Sequence, residues 1–431
     1  MYRPTKKTIV FQRQLLFIIL LASTQNVFAI PFGVYEPRSL AMGGTGVATA
    51  NSINAIYYNP SLLAVLDKYK ERSKKQAFSF PVIAGRASKS LEDLSDINDR
   101  NYDSSVSSAI STYNASPTIT NASSALTVIQ SLQNDLAAVS NQLVLADISA
   151  SLAIGIPSKN AGGAFYYLVR GVGDGNINIT ASDSTLISDY QEALLFISSG
   201  GTQGSSHPEL FSGGNLIDPI DSLTSTANAR AVIITEMGVS FASTFNLFNQ
   251  KVLLSMKPKT YKVKTFSYSS SITNNTINKQ QVENDEWYLN IDLGATYNIS
   301  KTWRLGLAIK DIVPKDFQTS DGNAIKIKPQ IRMGVAYFNP SYTLTADLDL
   351  LENEGVFENN KKQYLLLGGE IPVSFLKLRA GYRYALRSEV ADEDGVLSVG
   401  IGLNIKSFYL DFAYSENSEQ IGAGLMLGFT F

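Results

Sequence analysis

The sequence predicts an all-β protein, a transmembrane barrel of about fourteen antiparallel strands, and three observations carry that prediction. The first is the end of the chain. Ile421, Ala423, Leu425, Leu427, Phe429 and Phe431 form one apolar row, against the mostly small row Gly422, Gly424, Met426, Gly428 and Thr430. Successive side chains of a strand point to opposite faces, so one face is greasy and the other leaves space. A lipid-facing last strand closes a membrane barrel, and Phe429 and Phe431 are the residues expected at that closure. The second observation is that the same period of two recurs through the C-terminal half. The third is that the gaps between these runs alternate between short and long.

From the N-terminus, Lys6, Lys7 and Arg13 precede the apolar run Leu15 to Ala22, and Val27-Phe28-Ala29 offers a cleavage site. This pattern is a secretory signal peptide over 1–29, too short in its apolar core for a spanning helix. Its removal takes four of the 36 basic residues and no acid, leaving 32 against 38 acidic ones. Such a balance gives no footprint for nucleic acid. The charged fraction is 17%, below the quarter or so usual in soluble domains. The 21 Phe and 21 Tyr suit barrel girdles, and the lack of cysteine excludes disulfides and thiol chemistry.

Residues 30–75 precede the first strand. Gly43, Gly44 and Gly46 permit tight turns and close backbone approach, and Pro60 fixes φ after the turn-forming Asn59. That suits a segment folded inside a barrel, or an ordinary periplasmic arm.

Strands are expected near 77–86, 147–157, 162–181, 229–245, 250–269, 285–298, 302–312, 325–338, 342–352, 362–371, 375–387, 396–405, 407–415 and 421–431. Residues 376–387 illustrate the pattern, setting Leu376, Leu378, Ala380, Tyr382, Tyr384 and Leu386 against Lys377, Arg379, Gly381, Arg383, Ala385 and Arg387. Short gaps fall at 158–161, 246–249, 299–301, 339–341, 372–374 and 406, and long ones between them. Outer-membrane barrels have short periplasmic turns and longer outer loops, which places 76–431 as the barrel with both ends periplasmic.

Two long loops carry helical periodicity. Leu126, Ile129, Leu132, Leu136, Val139 and Leu143 predict an amphipathic helix near 123–145, while 87–122 reads as irregular. Leu186, Tyr190, Ala193, Leu194 and Ile197 predict a second helix over 184–198, capped by Asp183 or Ser184. Their apolar faces either pack together as a lid or form a docking surface.

A charge on the lipid face costs about 2–4 kcal/mol near the midplane, so the polar row faces inward. That row holds Asp292, Arg304, Lys310, Arg332, Asp347, Asp349, Lys377, Arg379, Arg383, Arg387 and Asp411. Ion pairing with one another and with the N-terminal segment is expected, with a wet pore as the alternative. No catalytic constellation, cofactor motif or metal site is expected. His207 is the single histidine and sits in a polar loop, and Asp392-Glu393-Asp394-Gly395 lacks the later ligands of a calcium loop.

Met42-Gly43-Gly44-Thr45-Gly46-Val47-Ala48, followed by Tyr57-Tyr58-Asn59-Pro60-Ser61, resembles the N-terminus of the FadL-like outer-membrane superfamily. It is closer to the TraF-type branch, the plasmid conjugal-transfer group. Ser61 departs from the Ala usual in the Asn-Pro-Ala motif. The resemblance implies a hatch in the barrel over 30–75, with Gly43, Gly44, Gly46, Asn59, Pro60 and Ser61 as its gate. It also implies a lateral gap at a kinked third strand, to which Gly171, Gly173 and Gly175 correspond. Glycine inside a strand often marks a bulge, though here a turn splitting the stretch reads equally well.

The implied function is a non-enzymatic component of the Gram-negative outer membrane tied to conjugal transfer. The alternatives are a channel for hydrophobic small molecules and, third, a secretion-system shuttle. Implied partners are outer-membrane lipid, the barrel-assembly machinery through the last strand, and a hydrophobic compound or conjugation and secretion proteins.

Overall fold

In the computed structural model the alternation becomes a closed wall. The structure describes residues 32–65, 76–140, 143–158, 161–247, 249–271, 278–320, 322–354, 356, 361–388 and 395–431. The expected signal peptide, the basic run Lys68 to Lys75 and Asp392 to Asp394 lie outside these residues.

Fourteen strands form the wall: β1 (Ala77–Ser88), β2 (Leu143–Ile156), β3 (Ala161–Asn178), β4 (Thr226–Leu247), β5 (Gln250–Ser271), β6 (Asn278–Asn298) and β7 (Trp303–Lys310) make one half. The other half is β8 (Gln330–Asn339), β9 (Tyr342–Asp349), β10 (Lys361–Val373), β11 (Leu376–Ser388), β12 (Val396–Ile405), β13 (Phe408–Glu416) and β14 (Gln420–Thr430). Each pairs antiparallel with its sequence neighbours, and β1 pairs β14, so the sheet has no free edge. Phe429 lies opposite Phe78 and Phe408, and the Phe431 amide donates to the Gln76 carbonyl at 2.9 Å. Phe429, Leu425 and Ile421 are exposed on the outer face while Gly424 and Met426 are enclosed, as the terminal strand predicts.

β4, β5 and β6 are 22, 22 and 21 residues long, about twice a membrane span, so they project beyond it. The expected loop over 270–284 is correspondingly shorter, because pairing of β5 with β6 runs on to Ser269 and Asn278. The expected strand 325–338 is two elements. Ala324–Ile327 pairs with Lys315–Gln318 in a separate hairpin, and only Gln330 onward joins the wall. Pro329, with no amide to donate, separates them.

The region 87–122, expected to be irregular, is largely helical. The lumenal segment holds two short helices, α1 (Pro37–Ala41) and α2 (Ala55–Tyr58); outside follow α3 (Ser90–Arg100), α4 (Tyr102–Ala115), α5 (Ile119–Val139) and α6 (Ala181–Ser198). Packing overrides the weak helix propensity of Ser, Asn and Asp: Tyr102, Val106, Ile110 and Tyr113 recur three and four apart and are buried against α5. The cap of α6 is Thr180, whose hydroxyl accepts from the Asp183 amide, rather than Asp183 or Ser184. The apolar faces of α4, α5 and α6 share one core, so they form a lid over the outer ends of β2 to β4. No described helix is long and apolar enough to cross a membrane.

Candidate functional site

Residues 32–65 run inside the barrel and are almost wholly buried. Small wall residues make this possible. A β-carbon at Gly381 would meet Gly43 and Met42, one at Gly306 the Val47 carbonyl, and one at Gly294 the Asn59 side chain. Gly334, Gly368, Gly400 and Gly424 likewise face Ala48, Met42, Ala41 and Pro37. Seven wall strands thus each give up a side chain where the hatch backbone passes. Gly43 and Gly44 adopt φ of +71° and +95°, turning the chain after α1, and a β-carbon at Gly43 would lie 2.6 Å from the Leu367 carbonyl oxygen.

Asn59 ties the hatch together. Its Nδ2 donates to the Val47 carbonyl at 2.9 Å, the Ala295 carbonyl at 3.1 Å and Thr296 Oγ1 at 3.1 Å. Its Oδ1 accepts from the Ser61 amide at 3.2 Å and hydroxyl at 2.6 Å, capping the 3-10 turn Pro60–Ala64. The extra hydroxyl of Ser61 also lies 2.6 Å from Thr296 Oγ1, so its departure from alanine adds a link to the wall.

The inward charges hold the hatch rather than line an open pore. Asp347 accepts from the Gly46 and Val47 amides at 2.8 and 2.9 Å. Arg332 pairs with Asp349 at 2.6 Å and Lys310 donates to the Tyr35 hydroxyl at 2.7 Å. Arg379 bridges Glu370 at 2.8 Å and Asp411 at 2.6 Å, and Arg38 of the hatch joins Glu370 at 3.0 Å. Asp292 sits between Lys257 at 2.7 Å and Lys259 at 3.0 Å. Lys377 is 3.7 Å from Glu370, Arg304 donates to the Ala48 carbonyl at 3.2 Å, and Arg383 donates to Gln420 at 2.7 Å. Arg387 alone of the expected row is exposed, pairing with Glu352 at the outer rim. Buried charges are tolerated only when so compensated.

Sequence reasoning missed Asp147, Arg170, Glu236, Lys257, Lys259 and Glu370, all buried in these networks. The signal was available for Lys257 and Lys259, which alternate with Met256 and Pro258 in a long strand. The inward glycines beyond the last strand were also missed, although Gly306 and Gly381 stand on the polar row.

The third strand is not interrupted. Gly171, Gly173 and Gly175 pair in unbroken register with Ile148, Ala146 and Val144 on β2 and with Ile233, Ala231 and Ala229 on β4. The wall shifts register instead at Tyr261/Val263 of β5 against β6 and at Gln363/Tyr364 of β10 against β11. It also shifts between Ser79 and Val82 of β1, against both neighbours. Pro81 is the cause, since it has no amide for the ladder.

Above the hatch, the 315–327 hairpin folds into the outer mouth, where Phe317, Ile325 and Ile327 pack on Val172, Val232, Tyr261 and Val263. Between hairpin and hatch a cavity of about 30 Å³, lined by Tyr35, Arg170, Glu236 and Lys310, has room for about one or two waters. On the lid, His207 contacts Glu209 at 2.9 Å and Glu192 at 3.2 Å. Asp189, His207 and Glu209 bring one donor atom each within 4.8 Å, two half-buried groups and one exposed, and the His207–Glu209 hydrogen bond with the 4.0 Å approach of Asp189 accounts for the arrangement.

A closed fourteen-stranded wall with its N-terminal segment bonded into the lumen defines an outer-membrane-type, hatch-filled β-barrel. The chain belongs to the family described as F plasmid transfer operon, TraF, protein, whose model matches residues 56–349, from α2 to the end of β9. Curated proteins give no match. Among solved structures, the Ralstonia pickettii toluene transporter TbuX is 13% identical, covering 93% of this chain and 98% of that one, with a TM-score of 0.51. A Pseudomonas aeruginosa FadL homologue is 10% identical over 94% and 99%, with a TM-score of 0.49. The Pseudomonas putida toluene transporter TodX is 12% identical over 94% and 99%, with a TM-score of 0.44. The likeness to TbuX speaks for the fold alone.

Proposed function

We propose that this chain is a non-enzymatic scaffold of a plasmid conjugal-transfer apparatus, set in the Gram-negative outer membrane. Family membership supports the setting. The observation that carries the scaffold reading is the filled lumen: the hatch is bonded to the wall by buried charge and amide contacts, and the hairpin fills the outer mouth. A path for greasy cargo would favour an apolar, open interior. Here the interior is filled, with buried ion pairs beside the apolar contacts of the hatch, and the wall is paired through the glycines where a lateral exit was expected.

Deleting the gene from a donor strain is expected to lower mating frequency, and an unchanged frequency would sink the scaffold reading. Toluene, the cargo named for TbuX, discriminates the transport alternative. Proteoliposomes carrying the purified protein are expected to take up toluene no faster than empty liposomes, and faster uptake would favour the channel.

A further inference from the structure

The hatch stops short of the end of the barrel that carries the short turns. There a cavity of about 380 Å³ opens, bounded by the turns that join β10 to β11 and β12 to β13 and by the hatch stretch Thr49 to Ile53. Its volume is within the range of ligand sites, about 300–1,000 Å³. Five cationic side chains line it, Arg38, Arg304, Lys377, Arg379 and Lys406, against the two carboxylates Glu370 and Asp411. Both carboxylates are already engaged, Glu370 by Arg38, Arg379 and, at 3.7 Å, Lys377, and Asp411 by Arg379. The lining therefore carries three more positive than negative charges, in a chain whose formal charge is −2. A concave site with low-dielectric walls focuses such a field on its opening. Leu62, Val65 and Phe408 add apolar surface between the charges.

We propose that this periplasmic mouth docks an acidic peptide segment with interspersed apolar residues, presented by a periplasmic partner protein. The cation excess selects the carboxylates, the apolar lining selects the side chains between them, and the turns leave the site open to a chain approaching from the periplasm. Lys377 and Lys406 stand at the rim, where charge sets encounter rate and salt dependence. Arg38 and Arg379 lie deeper, held by Glu370. The identity of the partner rests on the scaffold reading, but the test does not, because binding is read on the purified protein and scaffolding on mating frequency.

The experiment is fluorescence anisotropy on the full-length protein in mild detergent. The probe is a labelled, end-blocked peptide of alternating glutamate and leucine, and its lysine–leucine counterpart is the control. The acidic peptide is expected to bind, to weaken as salt is raised, and to lose about tenfold or more in affinity to the Lys377→Glu/Lys406→Glu variant. Both lysines are at the rim, so retention of heat-modifiable mobility on gels confirms that the variant barrel is folded. Equal binding of the two peptides, or an unaffected variant, overturns the proposal. Full displacement by inorganic phosphate at comparable concentration overturns the peptide assignment in favour of a small-anion site.

Discussion

Asn59 uses both ends of its amide, joining two parts of the hatch to each other and to β6, while Ser61 adds one hydroxyl to that knot. Removing the Asn59 side chain takes away the acceptor of the Ser61 amide and the donor to the buried Val47 carbonyl, which costs about 1–3 kcal/mol. Asn59→Ala is therefore expected to expose the hatch to trypsin at Arg38, whereas Ser61→Ala, which loses one hydroxyl but keeps the three Nδ2 contacts of Asn59 and the Ser61 amide contact, changes cleavage little. Equal cleavage of the two variants would show that Asn59 is not the knot. Gly381 tests the opposite partner. Gly381→Ala places a methyl against Gly43 and Met42, both backbone-rigid, and is expected to free the hatch while β11 keeps its pairing. The measurement is the same digest, read beside heat-modifiable mobility. The hatch residues were legible in the sequence because Gly, Asn and Pro announce backbone geometry. The wall glycines that receive them were not, since a glycine in a strand shows nothing of the segment that passes it.

At the scale of elements, the strands were readable wherever lipid on one face and hatch on the other imposed a period of two. The failures fall where that constraint ends. The outer halves of β4, β5 and β6 stand above the membrane, so their polar rows carry no lipid signal, and Ser-rich 87–122 folds into helices only because α5 offers an apolar face. The lid also contains a titratable link. The carboxylate of Glu192, then that of Glu209, hydrogen-bonds the His207 ring, with Asp189 adding attraction, and together they hold its pKa above the ordinary value. A raised folded-state pKa stabilises the lid below the unfolded value of about 6.5, and that contribution is lost as pH rises through the folded value. As the single histidine, His207 gives one imidazole titration by NMR, expected to have its midpoint above about 6.5. A midpoint at or below that value would mean that the carboxylates do not face the ring in solution.

For the whole molecule, the barrel is stoppered twice, by a hatch bonded through charges from the inner end and by a hairpin packed through apolar contacts at the outer end. The two stoppers share little. The hatch is fixed by Asp347, Glu370, Lys310 and Asn59, the hairpin by Phe317, Ile325 and Ile327, and a cavity of about 30 Å³ separates them. Removing one therefore leaves the other in place. In planar bilayers the intact protein is expected to show no steady conductance. Excising 32–65 alone, or replacing 315–327 by a short turn alone, is expected to give at most brief or small openings. Only the double deletion is expected to give a stable open level, because only then does water reach the paired charges of Lys257, Lys259, Glu236 and Asp292 from both sides. Steady conductance by the intact protein would show that the lumen opens, and would move the reading from scaffold to pore. An open level from the hatch deletion alone would assign the seal to the hatch and leave the hairpin as a rim.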